Sequence, residues 1–259
     1  MGKHIIYFNG AYVALSAAME GFLTPGQEKL DGVFETMRVE EGQAVDTEAH
    51  LKRLFKGLKV LGIKHKLSTP TLKQVIRQVI KLNVRITVGR LRICVYRDKD
   101  AVHCSVMILN YKVLPLKKYS QGLKLCVMPT QRKATAVFAD VKSLDYAFFA
   151  KAHAQAIKKG CDDVILLNAK GCVFESSRAN VFVVVNNKWM TPPLSSGCLN
   201  GITRQHVMAL MAYAGKPVKE APITLPMLKK AHDVYLTNSL MGMMKSQCLL
   251  APGGLTRYN

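Results

Sequence analysis

Acidic side chains, aromatics and long apolar runs are all scarce in this chain of 259 residues. Aromatics make up 7% with a single tryptophan, which argues against the stacking platforms that hold single-stranded nucleic acid. The longest apolar runs, such as Val181–Val185, fall far short of the roughly 20 residues a membrane helix needs, so no membrane partner is expected. The opening MGKHIIYFNG lacks the layout of a secretory signal, and Ile6 stands where a myristoylation signal needs Ser or Thr. The seven cysteines (94, 104, 126, 161, 172, 198 and 248) form no C-x-x-C pair and have no histidine at zinc spacing. They read as buried free thiols of a reducing compartment, so the expected address is the cytoplasm. The chain has no internal repeat and no low-complexity tract.

Seventeen acidic residues face 37 basic ones, a net charge of +20. Such a field attracts nucleic acid, anionic membranes, or phosphorylated and carboxylated small molecules. The charges are scattered, and the nearest cluster (Lys52, Arg53, Lys56, Lys59, Lys64 and Lys66) has the spacing of a solvated helix face. No zinc-finger, recognition-helix or RNA-binding motif accompanies it, so nucleic acid is not expected as a partner. Hydrophobic residues at 49% and charged residues at 21% describe a folded chain long enough for one large domain or two modest ones.

Periodicity and turn residues predict the elements. Ile5–Phe8, Asn9-Gly10 and Ala11–Leu15 form an opening hairpin, and Val33–Val39 a strand ended by Glu40-Glu41-Gly42. Apolar residues at 51, 54, 55, 58 and 61 predict a helix from His50 to about Leu61, and Pro70 opens a second helix to about Leu82. Leu91–Tyr96 and Val102–Leu109 are strands around the turn Arg97–Asp100. Lys112–Lys118, with its proline and lysines, reads as a linker. A strand at Leu123–Pro129, a helix from about Ser143 to Lys159 and a hairpin of Val164–Leu167 with Cys172–Glu175 follow. Then come strand Val181–Val185, a helix from about Thr203 to Ala214, strand Val234–Thr237 and a Gly/Met-rich closing segment. Strands and helices in mixed order point to the α+β class.

Three local features carry chemistry. Lys142 precedes the expected start of a helix at Ser143; a desolvated amine beside a helix N-terminus stays neutral and can attack a carbonyl. An exposed N-terminal lysine has the same appearance. Glu175 ends an apolar strand, and a carboxylate there needs a partner, either a protonated ring nitrogen or an internal cation such as Arg178. Gly201-Ile202-Thr203-Arg204 opens a helix after a Pro/Gly loop, which suits either a phosphate or an ordinary threonine cap. Thr237-Asn238-Ser239-Leu240 offers a second set of donors.

Several segments, taken together, resemble one known family. They are FNG near the start, LDGVFETMRV (30–39), HLKRL (50–54), KSLDY (142–146), DDVILLNAKGCVFESSRANVF (162–182), PPLSSGCLNGITRQ (192–205) and TNSLMGMM (237–244). In order and spacing they are similar to the fold-type IV pyridoxal 5'-phosphate enzymes: branched-chain aminotransferase, D-amino-acid aminotransferase and aminodeoxychorismate lyase. The resemblance implies a two-domain α+β fold like that of D-amino-acid aminotransferase. A smaller N-terminal domain would cover 1–111, a linker 112–118 and a larger cofactor-binding domain 119–259. It implies that Lys142 holds the cofactor aldehyde and shuttles the proton, and that Glu175 pairs with the pyridine N–H. Arg53 would contact the phosphate, cradled by Ile202 and Thr203 with Ser239 and Leu240 on its other side. Leu199 would pack on the ring and Tyr146 donate to the ring oxygen. A homodimer acting on a small amino or carboxylate substrate completes the expectation.

Within the family, Thr36, PPLSSGC and TNSLMGMM resemble the lyases, in which a threonine assists proton delivery. That makes 4-amino-4-deoxychorismate lyase the leading reading and an aminotransferase of branched-chain or related amino acids the alternative. Phe34, Lys29 and Arg97 are the candidate substrate contacts. Lys29 stands where relatives carry an aromatic residue, and the turn Arg97–Asp100 lacks the glycine-rich, arginine-bearing loop of the lyases; Arg97 or Lys99 reads either as a substitute carboxylate anchor or as part of a solvated hairpin tip. A basic binding protein that has lost catalysis is a third reading, opposed by the intact Lys142 and Glu175.

Overall fold

Asn9 and Gly10 take φ values of 47° and 96°, the paired positive angles of a tight hairpin turn, and fold β1 (Ile5–Phe8) onto β2 (Ala11–Ala14). The computed structural model describes residues 4–26, 30–130 and 140–258. Its chain divides into two units: Met1–Val113 with Asp140–Phe148, and Leu114–Ala139 with Phe149–Asn259.

In the first unit α1 (Ala17–Phe22) is capped by Ser16, whose hydroxyl accepts from Met19 N–H. Strands β3 (Asp31–Glu40) and β4 (Gln43–Ala44) are joined by Glu41 and Gly42, again at positive φ. Helix α2 (Thr47–Val60) and helix α3 (Thr69–Leu82), capped by Ser68 with Pro70 in its first turn, precede the hairpin of β5 (Val88–Asp98) and β6 (Ala101–Asn110). Among the described residues these strands make one antiparallel sheet in the order β2-β1-β6-β5-β3-β4. Alternation sorts its side chains: Val33, Met37, Val39, Leu91 and Ile93 pack on Leu51, Leu54, Leu58 and Leu72 of the helices. Phe34, Cys94, Tyr96 and Met107 face the other way, onto Ile6, Leu23 and Leu144.

The second unit runs through α4 (Leu116–Gln121), β7 (Leu123–Pro129), α5 (Ala147–Lys158), β8 (Asp163–Leu167), β9 (Val173–Ser176), β10 (Asn180–Val185) and β11 (Lys188–Thr191). It continues with α6 (Ile202–Tyr213), β12 (Lys219–Glu220), α7 (Leu225–Lys229), β13 (Asp233–Asn238), β14 (Gly242–Ala251) and β15 (Gly254–Arg257). Among the described residues its mixed sheet follows the order β12-β11-β10-β13-β14-β7-β8-β9, with β15 on β14. Leu125, Ile165, Val173, Val181, Val183 and Leu236 are among its buried core. No helix of the described residues is long and apolar enough to cross a membrane.

Several segments of the chain take a form other than the one their local sequence predicts. The helix placed from Ser143 begins at Ala147, because Lys142 O accepts from Phe34 N at 2.8 Å and Leu144 N donates to Gly32 O at 2.9 Å. With Ser143 bridged to Val33, this stretch is tied to β3, and the argument that a helix dipole acts on Lys142 falls away. The same pairing groups Asp140–Phe148 with the first unit. The stretch read as a linker holds the start of α4 at Leu116, and the Gly/Met-rich closing segment supplies the ten-residue strand β14. Gly242, at φ 67°, makes the tight return from β13 that lets β14 pair with it.

Candidate active site

In the first unit the Lys142 amine lies 4.6 Å from the ring centre of Phe34 and 5.8 Å from that of Tyr146. The two rings meet edge to face, with centroids 5.4 Å apart. Both rings thus lie within cation–π distance of the amine. Phe34 owes its place to β3, whose even-numbered residues face away from α2 and α3.

On that same face Thr36 lies directly opposite Arg92 of β5. Arg92 is 8% exposed, and no carboxylate lies within ion-pair distance of it among the described residues. Its Nη1 makes only long contacts, 3.4 Å to Leu23 O and 3.4 Å to Thr24 Oγ1, and its buried Nε has no partner. Burial pushes the guanidinium pKa down to about 10, which still leaves it charged near neutral pH. Sequence reading passed over this arginine. The signal was there: two arginines two positions apart, Arg90 and Arg92, just before the apolar run Ile93–Tyr96.

Arg53 sits on the opposite side of the sheet, on α2. Glu35 of β3 accepts from its Nε at 2.8 Å and its Nη2 at 2.7 Å, while His50 Nδ1 lies 2.7 Å from the same carboxylate. Burial works against the Glu35 charge, but the Arg53 charge and the hydrogen bonds from Arg53 and His50 outweigh it and hold the pKa at about 2. The clamp orients the guanidinium. Gly57 brings α2 against the Lys142 segment: a Cβ there would lie 3.0 Å from Val33 Cγ1 and 3.3 Å from Asp140 O. Asp140 adds a second negative charge near Arg53.

The second unit gathers a different set. Glu175 is buried on β9, and its Oε2 accepts from Leu199 N–H at 3.1 Å. Asn180 Nδ2 donates to Leu199 O at 2.7 Å. Glu175 also helps burial push the nearby Cys198 thiol up to about 11. Gly201 caps α6 without a side chain, so the N–H groups of Ile202 and Thr203 open this twelve-residue helix at the positive end of its dipole. At the end of β13, Asn238 Oδ1 accepts from Leu240 N and Met241 N at 3.0 Å, holding the Ser239–Leu240 turn. Thr237, 1% exposed, carries a buried hydroxyl with no partner. An uncapped helix start, a hydroxyl-bearing turn and an orphaned hydroxyl suit a phosphate, and the buried carboxylate suits a protonated ring nitrogen.

The structure thus brings Lys142, Phe34, Tyr146 and Thr36 to one region of the first unit, and Glu175, Leu199, Ile202 and Thr203 to one region of the second. Arg97 is an exposed residue near the tip of the β5–β6 hairpin, paired with Asp31, and Lys99 lies in the turn at φ 51°. Lys29 lies outside the described residues.

Comparison with known proteins agrees with this chemistry. The family described as amino-transferase class IV matches residues 32–246. A putative branched-chain-amino-acid aminotransferase of Methanocaldococcus jannaschii is 29% identical over 242 residues, 90% of this chain and 84% of its own. The aminodeoxychorismate lyase of Bacillus subtilis is 27% identical over 250 residues, 92% of this chain and 84% of its own. A hypothetical aminotransferase from Mycobacterium tuberculosis, solved in a PLP-bound form, has the same fold, with a TM-score of 0.80 at 22% identity over 98% of this chain and 93% of its own. Pyridoxal 5'-phosphate is the cofactor of such enzymes, and the donor sets above fit it. A match across residues 32–246, on this fold, makes the chain a member of the class IV aminotransferase family.

Proposed function

We propose that the chain is a pyridoxal 5'-phosphate-dependent lyase that splits 4-amino-4-deoxychorismate into 4-aminobenzoate and pyruvate. The observation that carries this reading is Thr36 opposite the buried Arg92, which among the described residues has no carboxylate at ion-pair distance, on the sheet face that also holds Phe34. A substrate bearing carboxylates and a leaving enolpyruvyl group calls for both: a fixed cation to hold a carboxylate and a hydroxyl to hand over a proton.

Bound cofactor supplies an electron sink for the carbon that carries the substrate amine. Lys142 would hold the cofactor aldehyde, and its amine would be placed to take the proton from the amine-bearing carbon of the substrate. Loss of that proton would let the ring carbon–oxygen bond to the enolpyruvyl group break, its bonding pair leaving on that oxygen. Thr36 delivers a proton to the methylene carbon of the departing group, which leaves as pyruvate while the ring becomes aromatic. Glu175 keeps the ring nitrogen protonated, and Tyr146 donates to the ring oxygen. Leu199 packs on the ring, and Arg53, Ile202, Thr203, Ser239 and Leu240 hold the phosphate. Arg92, rather than the hairpin-tip Arg97, anchors a substrate carboxylate. The reading carries with it a homodimer, which sedimentation would check.

The relative from Methanocaldococcus jannaschii favours a second reading, an aminotransferase in which Lys142 moves the proton between the substrate α-carbon and the cofactor. Incubation of the PLP-loaded protein with each class of amine decides. Pyruvate and 4-aminobenzoate released without any acceptor support the lyase. An amino group passed from a branched-chain amino acid to a 2-oxo acid, with no pyruvate formed from the amino-deoxychorismate, overturns it.

A further inference from the structure

We propose that Asn180 is a positioning residue that locks the Leu199–Gly201 loop to β10, and so makes Glu175 and the start of α6 one frame. The inference rests on the function proposed above. Asn180, 5% exposed, is the first residue of β10. Its Nδ2–H holds the Leu199 carbonyl at 2.7 Å, while the N–H of that same Leu199 is held by Glu175 at 3.1 Å. Leu199 is therefore pinned on both sides of its backbone, once by each residue.

The ring of contacts closes through the chain itself. Ser176 N donates to Ala179 O at 2.8 Å, and Ser176 Oγ accepts from Ala179 N at 2.9 Å, so the turn from Glu175 to Asn180 is fixed. Asp163 clamps that turn, its Oδ2 accepting from Ser176 Oγ at 3.0 Å and its Oδ1 from the Ser177 hydroxyl. Two residues beyond Leu199, Gly201 lies so close to the Asn180 amide that a Cβ would stand 2.0 Å from its Oδ1, and α6 starts at the next residue. One side chain thus touches the loop at Leu199 and at the helix cap.

The planar ring and short ester arm of the cofactor confine its ring nitrogen and its phosphate to a narrow range of separations. The carboxylate and the amides that hold those two ends need a fixed separation as well, and independent motion would lose one contact whenever the other formed. An amide suits this place because it donates without charge; a carboxylate would repel both the Leu199 carbonyl and Glu175.

The test is a visible-absorbance titration of apo protein with pyridoxal 5'-phosphate, read as a dissociation constant and as the pH midpoint of the bound band, beside apo thermal melting. Asn180→Ala and Asn180→Asp are each expected to weaken cofactor binding roughly tenfold or more. Both should move the pH midpoint of the band, which a merely structural loss of stability would leave in place. Gly201→Ala should weaken binding similarly, and the Asn180→Ala/Gly201→Ala double variant by less than the two combined, since the atom in the way is gone. Wild-type affinity and midpoint in Asn180→Ala overturn the inference. Should that variant not fold, unchanged binding by Gly201→Ala overturns it equally. Wild-type protein that takes up no cofactor overturns the functional reading and this inference with it.

Discussion

Thr36 of β3 and Arg92 of β5 stand directly opposite each other in the antiparallel ladder, one hydroxyl and one guanidinium sharing the sheet face of Phe34. Neighbouring strands bring them together from distant parts of the chain, and among the described residues no carboxylate reaches the guanidinium at ion-pair distance, Glu20 acting on it only from farther away.

A buried charge without a counter-ion costs stability and is kept where a ligand supplies the missing partner. Arg92→Met, similar in length, is therefore expected to melt at the same temperature as wild type or higher, while KM for the carboxylate substrate rises at least roughly tenfold. An unchanged KM would remove Arg92 from the site.

Acid should unfold the first unit through Glu35. Its folded pKa of about 2 lies below the ordinary 4.5, so its contribution is present above the unfolded value and drains away as pH falls from about 4.5 towards 2. A shift of that size is linked to about 3 kcal/mol. Urea unfolding at neutral pH and at several points down that window measures it. Glu35→Gln should be less stable at neutral pH by about 3–5 kcal/mol and lose most of the acid sensitivity.

Gly32 is the tightest backbone approach in the first unit: a Cβ would lie 2.3 Å from Val95 O and 2.6 Å from Tyr96 Cα. Both are main-chain atoms of β5, and neither can swing aside. Gly32→Ala is expected to cost about 2–3 kcal/mol or more by forcing the strands apart. Because Gly32 O also receives Leu144 N–H, it should displace Lys142 and weaken the cofactor band. Gly42→Ala, with open space around it and φ 74°, should cost about 1 kcal/mol and leave the band alone. Equal losses in the two variants would contradict this account.

Lys142→Ala should abolish the visible band of the PLP-loaded protein, with the melting temperature of the apo protein nearly unchanged, since Lys142 is only half-buried. A band that persists in the variant would mean another lysine holds the cofactor.

Much of this was legible because it is local. Asn9-Gly10 announces its hairpin, Ser68 and Pro70 announce α3, and the apolar spacing of α2 marks its buried face, all within a few residues. The stretch before α5 misled for the same reason. Nothing near Lys142 forbids a helix from Ser143; what prevents it is an edge of β3 more than a hundred positions away, offering Phe34 N–H and Gly32 O. Arg92 escaped notice likewise, since a strand arginine reads as solvated until both faces of its sheet are seen to be covered.

The sequence alone determined the residue types and their order: an amine at 142, carboxylates at 35 and 175, a glycine-opened helix at 201, and the alternation that makes each strand two-faced. Tertiary structure decided which of those groups are held, and by what. Glu35 became the clamp on Arg53, Leu199 the shared hold of Glu175 and Asn180, and Arg92 a buried cation with no ion pair among the described residues. The physical reason is that burial and hydrogen-bond partnership belong to pairs of groups brought together by long-range strand pairing, and no single stretch of chain contains both members.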